Sequence, residues 1–135
     1  MDFGLTDEQE AIRDEVRRFA ENEIVPVASE YDQAEKFPHE VMDKAAEAGL
    51  LGPSIPLEYG GAGYSPVETA IIIEELFAAD PGIGLCISSA GFGAEAIMAF
   101  GTEDQKERFL EPIPAGDAIM GSAISEPDTG SDVSS

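Results

Sequence analysis

In the stretch Ala123-Ile124-Ser125-Glu126-Pro127-Asp128-Thr129-Gly130-Ser131-Asp132, an apolar run delivers Ser125, and a proline turn then exposes Gly130 and Ser131 with their backbone N–H groups. Hydroxyls and amides at a strand end suit hydrogen bonding to a heterocycle or a phosphate. The residues alone define a polar ligand site at a strand-to-loop junction, and a plain surface turn accounts for them about as well. Other candidates carry less. Gly91-Phe92-Gly93-Ala94-Glu95-Ala96 spells G-x-G-x-x-A, a dinucleotide fingerprint, yet no strand precedes it and no βαβ unit surrounds it. Helix packing is the better reading. Glu58-Tyr59-Gly60-Gly61-Ala62-Gly63 could bring backbone close to a ligand, but a connector between helices is the stronger reading. His39, in the first turn of a polar helix start, reads as a solvated residue. Metal binding needs more than one histidine and one cysteine. Carboxylates are so frequent that two in proximity have no diagnostic value.

The elements that must position these groups are mostly helices. Thr6-Asp7-Glu8-Gln9 is a capping box, and Ile12, Val16, Phe19, Ala20, Ile24 and Val27 follow on one helical face. Pro26 removes a backbone donor and is expected to bend that helix. A second helix is expected from Phe37-Pro38, with proline at its first position, an apolar side of Val41, Met42, Ala45 and Ala48, and a stop at Gly49. Ser65-Pro66-Val67-Glu68 caps a helix to about Asp80 that is apolar nearly all round and therefore central. Pro81 to Phe100 reads as a further helix with a single charge, Glu95, and Thr102-Glu103-Asp104-Gln105 caps another. After Pro112 and Pro114 the character changes: Ala118 to Ser125 is short, uncharged and bounded by turn residues, which predicts a buried strand. An isolated strand is not stable, so the sequence looks unfinished.

Length and charge bound the possibilities. The chain has 135 residues, 43% of them hydrophobic, enough for one domain with a real core. Acidic residues number 28 against 7 basic ones, a formal charge of −21. Such a surface repels phosphate backbones and anionic lipid, which argues against nucleic-acid and membrane-surface roles. It also opposes compaction unless salt screens it, and at molar salt the Debye length shrinks to roughly 3 Å. The expectation is a cytoplasmic protein adapted to high salt. Cys86 is the only cysteine, which leaves no disulfide framework. The start, Met1-Asp2-Phe3-Gly4-Leu5, has no signal-peptide pattern, and the longest uncharged run, Pro81 to Ala94, is too short to span a bilayer. A soluble chain without membrane insertion is expected.

Taken in order, the residues resemble the N-terminal part of the acyl-CoA dehydrogenase family. The likeness runs through Leu5-Thr6-Asp7-Glu8-Gln9 with Ile12-Arg13 and Phe19-Ala20, then Gly49-Leu50, Pro56 and Tyr59-Gly60-Gly61-Ala62-Gly63. It continues through Glu74-Glu75-Leu76 and Gly101-Thr102 with Gln105-Lys106 to the stretch Ala123 to Asp132. That last stretch is close to the family signature: small, aliphatic, Thr or Ser, Glu, two variable positions, small, then Gly-Ser-Asp. Thr129 departs from it, standing where a smaller residue is usual.

The resemblance implies a mainly α fold: an all-helical N-terminal bundle over residues 1–115, then the first strand of a truncated β-domain over 116–135. It implies an FAD enzyme that removes two hydrogens across the Cα–Cβ bond of an acyl-CoA thioester. A carboxylate base takes the α-proton while the β-hydrogen passes to the flavin. Carried onto this chain, Ser122, Ala123, Ile124, Ser125, Gly130 and Ser131 would bind the cofactor. Ser125 would hydrogen-bond the isoalloxazine, Ile124 would contribute backbone, and Ser131 would meet the pyrophosphate and the CoA arm. Ser122 stands where an aromatic residue is common. The Pro81 to Phe100 segment would wall the acyl pocket. The family's base lies in a later helical domain, so no catalytic residue is assigned here and the chain is expected to be an inactive fragment. An electron-transfer flavoprotein is the implied acceptor, and a homo-oligomer the implied full-length assembly. The alternative is a non-catalytic acidic helical module that binds acyl-CoA or a partner subunit.

Overall fold

The computed structural model describes residues 4–132. Helix α1 spans Asp7–Phe19 behind a complete capping box. Thr6 Oγ1 accepts from the Gln9 amide at 3.2 Å, and Gln9 Oε1 accepts from the Thr6 amide at 3.0 Å. The expected bend at Pro26 takes the form of a π-helical turn over Ala20–Ile24. There the Val25 N–H donates to the Ala20 carbonyl at 3.0 Å, one residue further back than an α-helix would reach. Pro26 has no N–H to continue the ladder, and α2 starts afresh at Ala28–Ala34.

Helix α3 is His39–Glu47, so that Pro38, expected at the first helical position, is instead the N-cap and the helix starts one residue later. Its buried side is Val41, Met42 and Ala45, while Ala48 is exposed. Gly49, at φ 70°, ends it in the left-handed conformation that glycine adopts without penalty. Helix α4, Pro66–Ala79, has the expected capping box at Ser65 and buries Ile71, Ile72 and Leu76. It lies against both α1 and the following helix, the central position its all-round apolar character predicts. Two long-range ties hold it to α1. Arg17 grips Glu75 with two hydrogen bonds, at 2.9 and 2.7 Å, and Gln9 Nε2 donates to Glu68 Oε1 at 2.7 Å. Gln9 and Glu68 are the third residues of their respective helices, so the two capping boxes are joined to one another.

The uncharged run from Pro81 is two helices, not the single one expected: α5, Pro81–Ser88, and α6, Ala94–Phe100. Gly93, at φ 108°, breaks the run with a backbone that other residues rarely adopt. Gly84 does serve close helix packing, because a Cβ there would sit 3.0 Å from the Leu76 carbonyl carbon of α4. Helix α7, Glu103–Leu110, begins at the third capping box, on Thr102. The core is in two parts. The larger joins α1, the π-turn, α3, α4 and α5; the smaller gathers Ile55, Tyr59, Ala94, Leu110 and Ile113 beneath α6 and α7.

The fold is mainly helical, as expected, but the buried strand at 118–125 does not form. Among the described residues the β-bridge present joins Glu126 to Thr129, and residues 121–128 are exposed. A strand is stabilised by its ladder, and no second strand lies alongside this one. Among the described residues, no helix is long and apolar enough to cross a membrane.

Candidate functional site

Two sequence features that looked unrelated meet in space. The Met120 amide donates to the Ala90 carbonyl at 2.8 Å, and Ser122 Oγ donates to the Phe92 carbonyl at 3.3 Å. The Gly91-Phe92-Gly93 turn between α5 and α6 is thus the platform on which the 122–131 stretch starts. A side chain at Gly93 would meet Ser122 Oγ at 3.2 Å and Met120 Cε at 4.0 Å. The glycines that spelled a dinucleotide fingerprint form an interhelical turn, with no strand before them. They act here by letting another segment approach.

From that anchor the stretch runs over the surface. Ser122, Ala123, Ile124 and Ser125 are exposed. The Glu126 amide donates to the Thr129 carbonyl at 2.8 Å, and the Thr129 amide returns a bond at 3.3 Å, closing the Pro127-Asp128 turn. The Thr129 hydroxyl donates to the Asp132 carbonyl. This turn folds Gly130 back toward Ser125, so that a Cβ at 130 would lie 3.7 Å from Ser125 Oγ. Ser125 and Gly130 are therefore brought together, Ser122 faces Phe92, and Ser131 lies exposed beyond them. Hydroxyls and amides open to solvent fit the edge of a neutral heterocycle. The charges within the stretch are all acidic, Glu126, Asp128 and Asp132, and the chain carries no lysine or arginine from 45 to 105. An anionic group would have to rely on the hydroxyl and amides of Gly130 and Ser131.

The glycine loop at 56–63 resolves as a connector. The Gly63 amide donates to the Ile55 carbonyl at 2.8 Å, and a Cβ at Gly61 would stand only 2.1 Å from that same oxygen. Its glycines let the loop close on its own backbone. Tyr59, within the 3-10 turn Leu57–Tyr59, is buried and donates its hydroxyl proton to Glu103 Oε2 at 2.9 Å. That hydrogen bond, reinforced by burial and by the charges of Glu103 and Glu58, pushes the phenol up to about 12. Lys106, 2.9 Å from Glu103 Oε1, and the Tyr59 hydroxyl together hold the Glu103 carboxyl below its ordinary range. The loop is latched to α7.

The remaining candidates are quiet. His39 is exposed and rests beside the Phe37 ring, with centroids 4.8 Å apart. Burial pushes the Cys86 thiol up, away from the reactive thiolate. Among the described residues, no cluster of three or more His, Cys, Asp or Glu could hold a metal.

One site residue escaped sequence reasoning. A cavity of about 200 Å³ lies between the 50–55 loop, α4 and the turn after α5, lined by Leu50, Ile55, Ile72, Leu76, Phe92 and Thr69 among others. The Thr69 hydroxyl oxygen is buried there with no hydrogen-bond partner among the described residues. A single hydroxyl amid Ala70-Ile71-Ile72-Ile73 was the available signal.

Comparison with known proteins places these features in a family context. Residues 6–117 match the family described as acyl-CoA dehydrogenase, N-terminal domain. The chain is 41% identical over 133 residues to the short-chain specific acyl-CoA dehydrogenase of Clostridium acetobutylicum, covering 98% of this chain and 35% of that protein. A structure described under the electron transferring flavoprotein of Acidaminococcus fermentans superimposes with a TM-score of 0.89 at 38% identity, over 98% of this chain and 35% of that one. A glutaryl-CoA dehydrogenase from Mycobacterium smegmatis in complex with FADH2 gives 0.86 at 29% identity, over 96% and 33%. The chain thus spans about 35% of the length of the first curated relative it matches.

Proposed function

The chain belongs to the acyl-CoA dehydrogenase family, and from that premise we propose that it is the N-terminal part of an FAD-dependent enzyme that dehydrogenates acyl-CoA thioesters between Cα and Cβ. Residues 1–115 are the helical domain of that enzyme and 116–135 the beginning of its middle β-domain. The observation that carries the reading is the anchoring of the 122–131 stretch on the Phe92-Gly93 turn, with Ser125, Gly130 and Ser131 exposed to solvent beyond that anchor.

In this reading, Ser125 and the Ile124 backbone hydrogen-bond the isoalloxazine, with Ser122, Ala123 and Gly130 beside it. Ser131 meets the pyrophosphate and the CoA arm. Bound FAD supplies the hydride-accepting chemistry. The segments α5 and α6 form a wall of the acyl pocket, and no residue of this chain is assigned as the base. FADH2 in the glutaryl-CoA dehydrogenase complex supports the cofactor. The flavoprotein named in the Acidaminococcus fermentans structure supports an electron-transfer flavoprotein as acceptor. We place the enzyme in the cytoplasm of a high-salt cell, as a homo-oligomer.

Flavin fluorescence quenching in high-salt buffer tests this. Micromolar FAD binding is expected, weakened tenfold or more when Ser125 and Ser131 are both changed to alanine. A chain that is helical by circular dichroism yet binds no FAD would remove the flavin assignment from this stretch.

A further inference from the structure

A groove of about 720 Å³ lies where α2 and the turn after it meet the start of α5. Small-molecule sites typically measure roughly 300–1,000 Å³. The lining comes from two segments, 28–38 and 80–86, and none of it from the 122–131 stretch. Much of it is apolar: Ile83 and Pro38 are buried, Tyr31 and Cys86 half-buried, and the Phe37 ring is 41% exposed. Three carboxylates line the same groove, Asp32, Glu35 and Asp80, against one ammonium, Lys36. Asp80 is already engaged, since its Oδ1 caps α5 by accepting from the Ile83 amide at 2.7 Å. Asp32 and Glu35 are exposed at the C-terminal end of α2, whose last turn holds no basic residue, so the negative end of the helix dipole adds to their field. Lys36 is exposed, and its long stem carries the ammonium out to water. An anion is repelled from this groove. A small inorganic cation, strongly hydrated, gains nothing from the apolar lining. Two aromatic rings beside two carboxylates instead suit a weakly hydrated organic cation, held by ring faces and charge together.

We propose that this groove is a binding site for a small organic cation of the quaternary-ammonium type. Tyr31 and Phe37 supply the ring faces, Asp32 and Glu35 the charge, and Ile83 the apolar floor. The site does not rest on the acyl-CoA reading above, and it stands or falls separately from it.

Methyl NMR of the 135-residue chain reads the lining directly at Ile83 and Ala28. The titrations belong in about 1 M potassium chloride, where a Debye length of roughly 3 Å suppresses diffuse attraction to the acidic surface. The probes are choline and 3,3-dimethylbutan-1-ol, which share a shape and differ in charge. Choline is expected to shift both methyls and to bind about tenfold more tightly than the alcohol. The pair Asp32→Asn with Glu35→Gln should remove that preference and leave the alcohol unchanged. Tyr31→Leu should weaken choline about fivefold, and Tyr31→Phe, which keeps the ring, should restore it. Tyr31 packs on the larger core, so Phe37→Leu, at an exposed ring, gives the same reading should Tyr31→Leu fail to fold. If neither probe moves the methyls, the groove is no binding site and the proposal falls. Equal affinity for choline and the alcohol would overturn the cationic ligand. Choline binding that ignores both the ring and the carboxylate variants would show attraction to the acidic surface at large, which also overturns the site. Nα-acetyl-lysine amide stands in for a protein side chain, and tighter binding of it than of choline would assign the groove to a protein partner and overturn the small-molecule reading.

Discussion

Gly61 and Gly60 are neighbours under different constraints. A Cβ at 61 would stand 2.1 Å from the Ile55 carbonyl oxygen, whereas one at 60 meets nothing within 4 Å and conflicts only with a φ of +83°. Gly60→Ala should therefore destabilise by about 1 kcal/mol, the strain of a left-handed backbone. Gly61→Ala must move backbone, and about 3 kcal/mol or more is expected. Urea unfolding of the two variants separates the effects, and equal losses would contradict the contact at Ile55. Tyr59 makes a different prediction. Its phenol is pushed up to about 12 by the hydrogen bond it donates to Glu103, while the unfolded chain titrates near 10. The folded state thus holds that proton more tightly, and its contribution is complete below pH 10 and lost as pH rises toward 12. Tyr59→Phe should abolish this part of the alkaline loss, as seen in the pH dependence of the unfolding midpoint.

The junction of the two capping boxes, α1 on Thr6 and α4 on Ser65, turns two local motifs into one tertiary contact. The Glu68 carboxylate accepts from the Ser65 hydroxyl, the Gln9 side chain and the Ser65 amide, and these bonds hold it below its ordinary range. A carboxylate with a depressed folded pKa contributes stability above its unfolded value, lost as pH falls through the folded one. Glu68→Gln should flatten the acid side of the stability profile below about pH 4.5. An unchanged acid limb would show that the carboxylate contributes nothing there. Ser65→Ala removes the cap itself and should cost about 1 kcal/mol at neutral pH, measured by denaturant unfolding.

A formal charge of −21 on 135 residues makes the molecule its own antagonist at low salt. The ion pairs Arg17–Glu75 and Lys44–Glu23 offset only a few of those carboxylates. Stability should rise steeply as potassium chloride goes from 0.1 to 1 M and then level off, because the Debye length has by then fallen from about 10 Å to about 3 Å. Thermal unfolding across that range checks it. A midpoint that does not move with salt would contradict charge repulsion as the dominant destabilising effect. At this scale the apolar core also divides, and the smaller part depends on residues that come together only when the 50–63 loop closes over α6 and α7.

What the sequence alone determined is local. Each capping box spans four residues, and each folds as the pattern of Thr or Ser followed three places on by Gln or Glu dictates, because the hydrogen bonds that define it are made within one turn. The mainly helical fold and the family likeness of the 123–132 stretch were legible for the same reason. Tertiary structure decided everything that needed a distant partner. Gln9 meets Glu68 across 59 positions, and Tyr59 meets Glu103 across 44. The break between α5 and α6 carried no periodic signal, since a run of small uncharged residues reads alike as one helix or two. The strand expected at 118–125 lacks a ladder partner among the described residues, and hydrogen-bond pairing, which propensity cannot replace, is what makes a strand. The cavity at Thr69 exists only because three separate segments surround it, so no reading of one segment could have disclosed it.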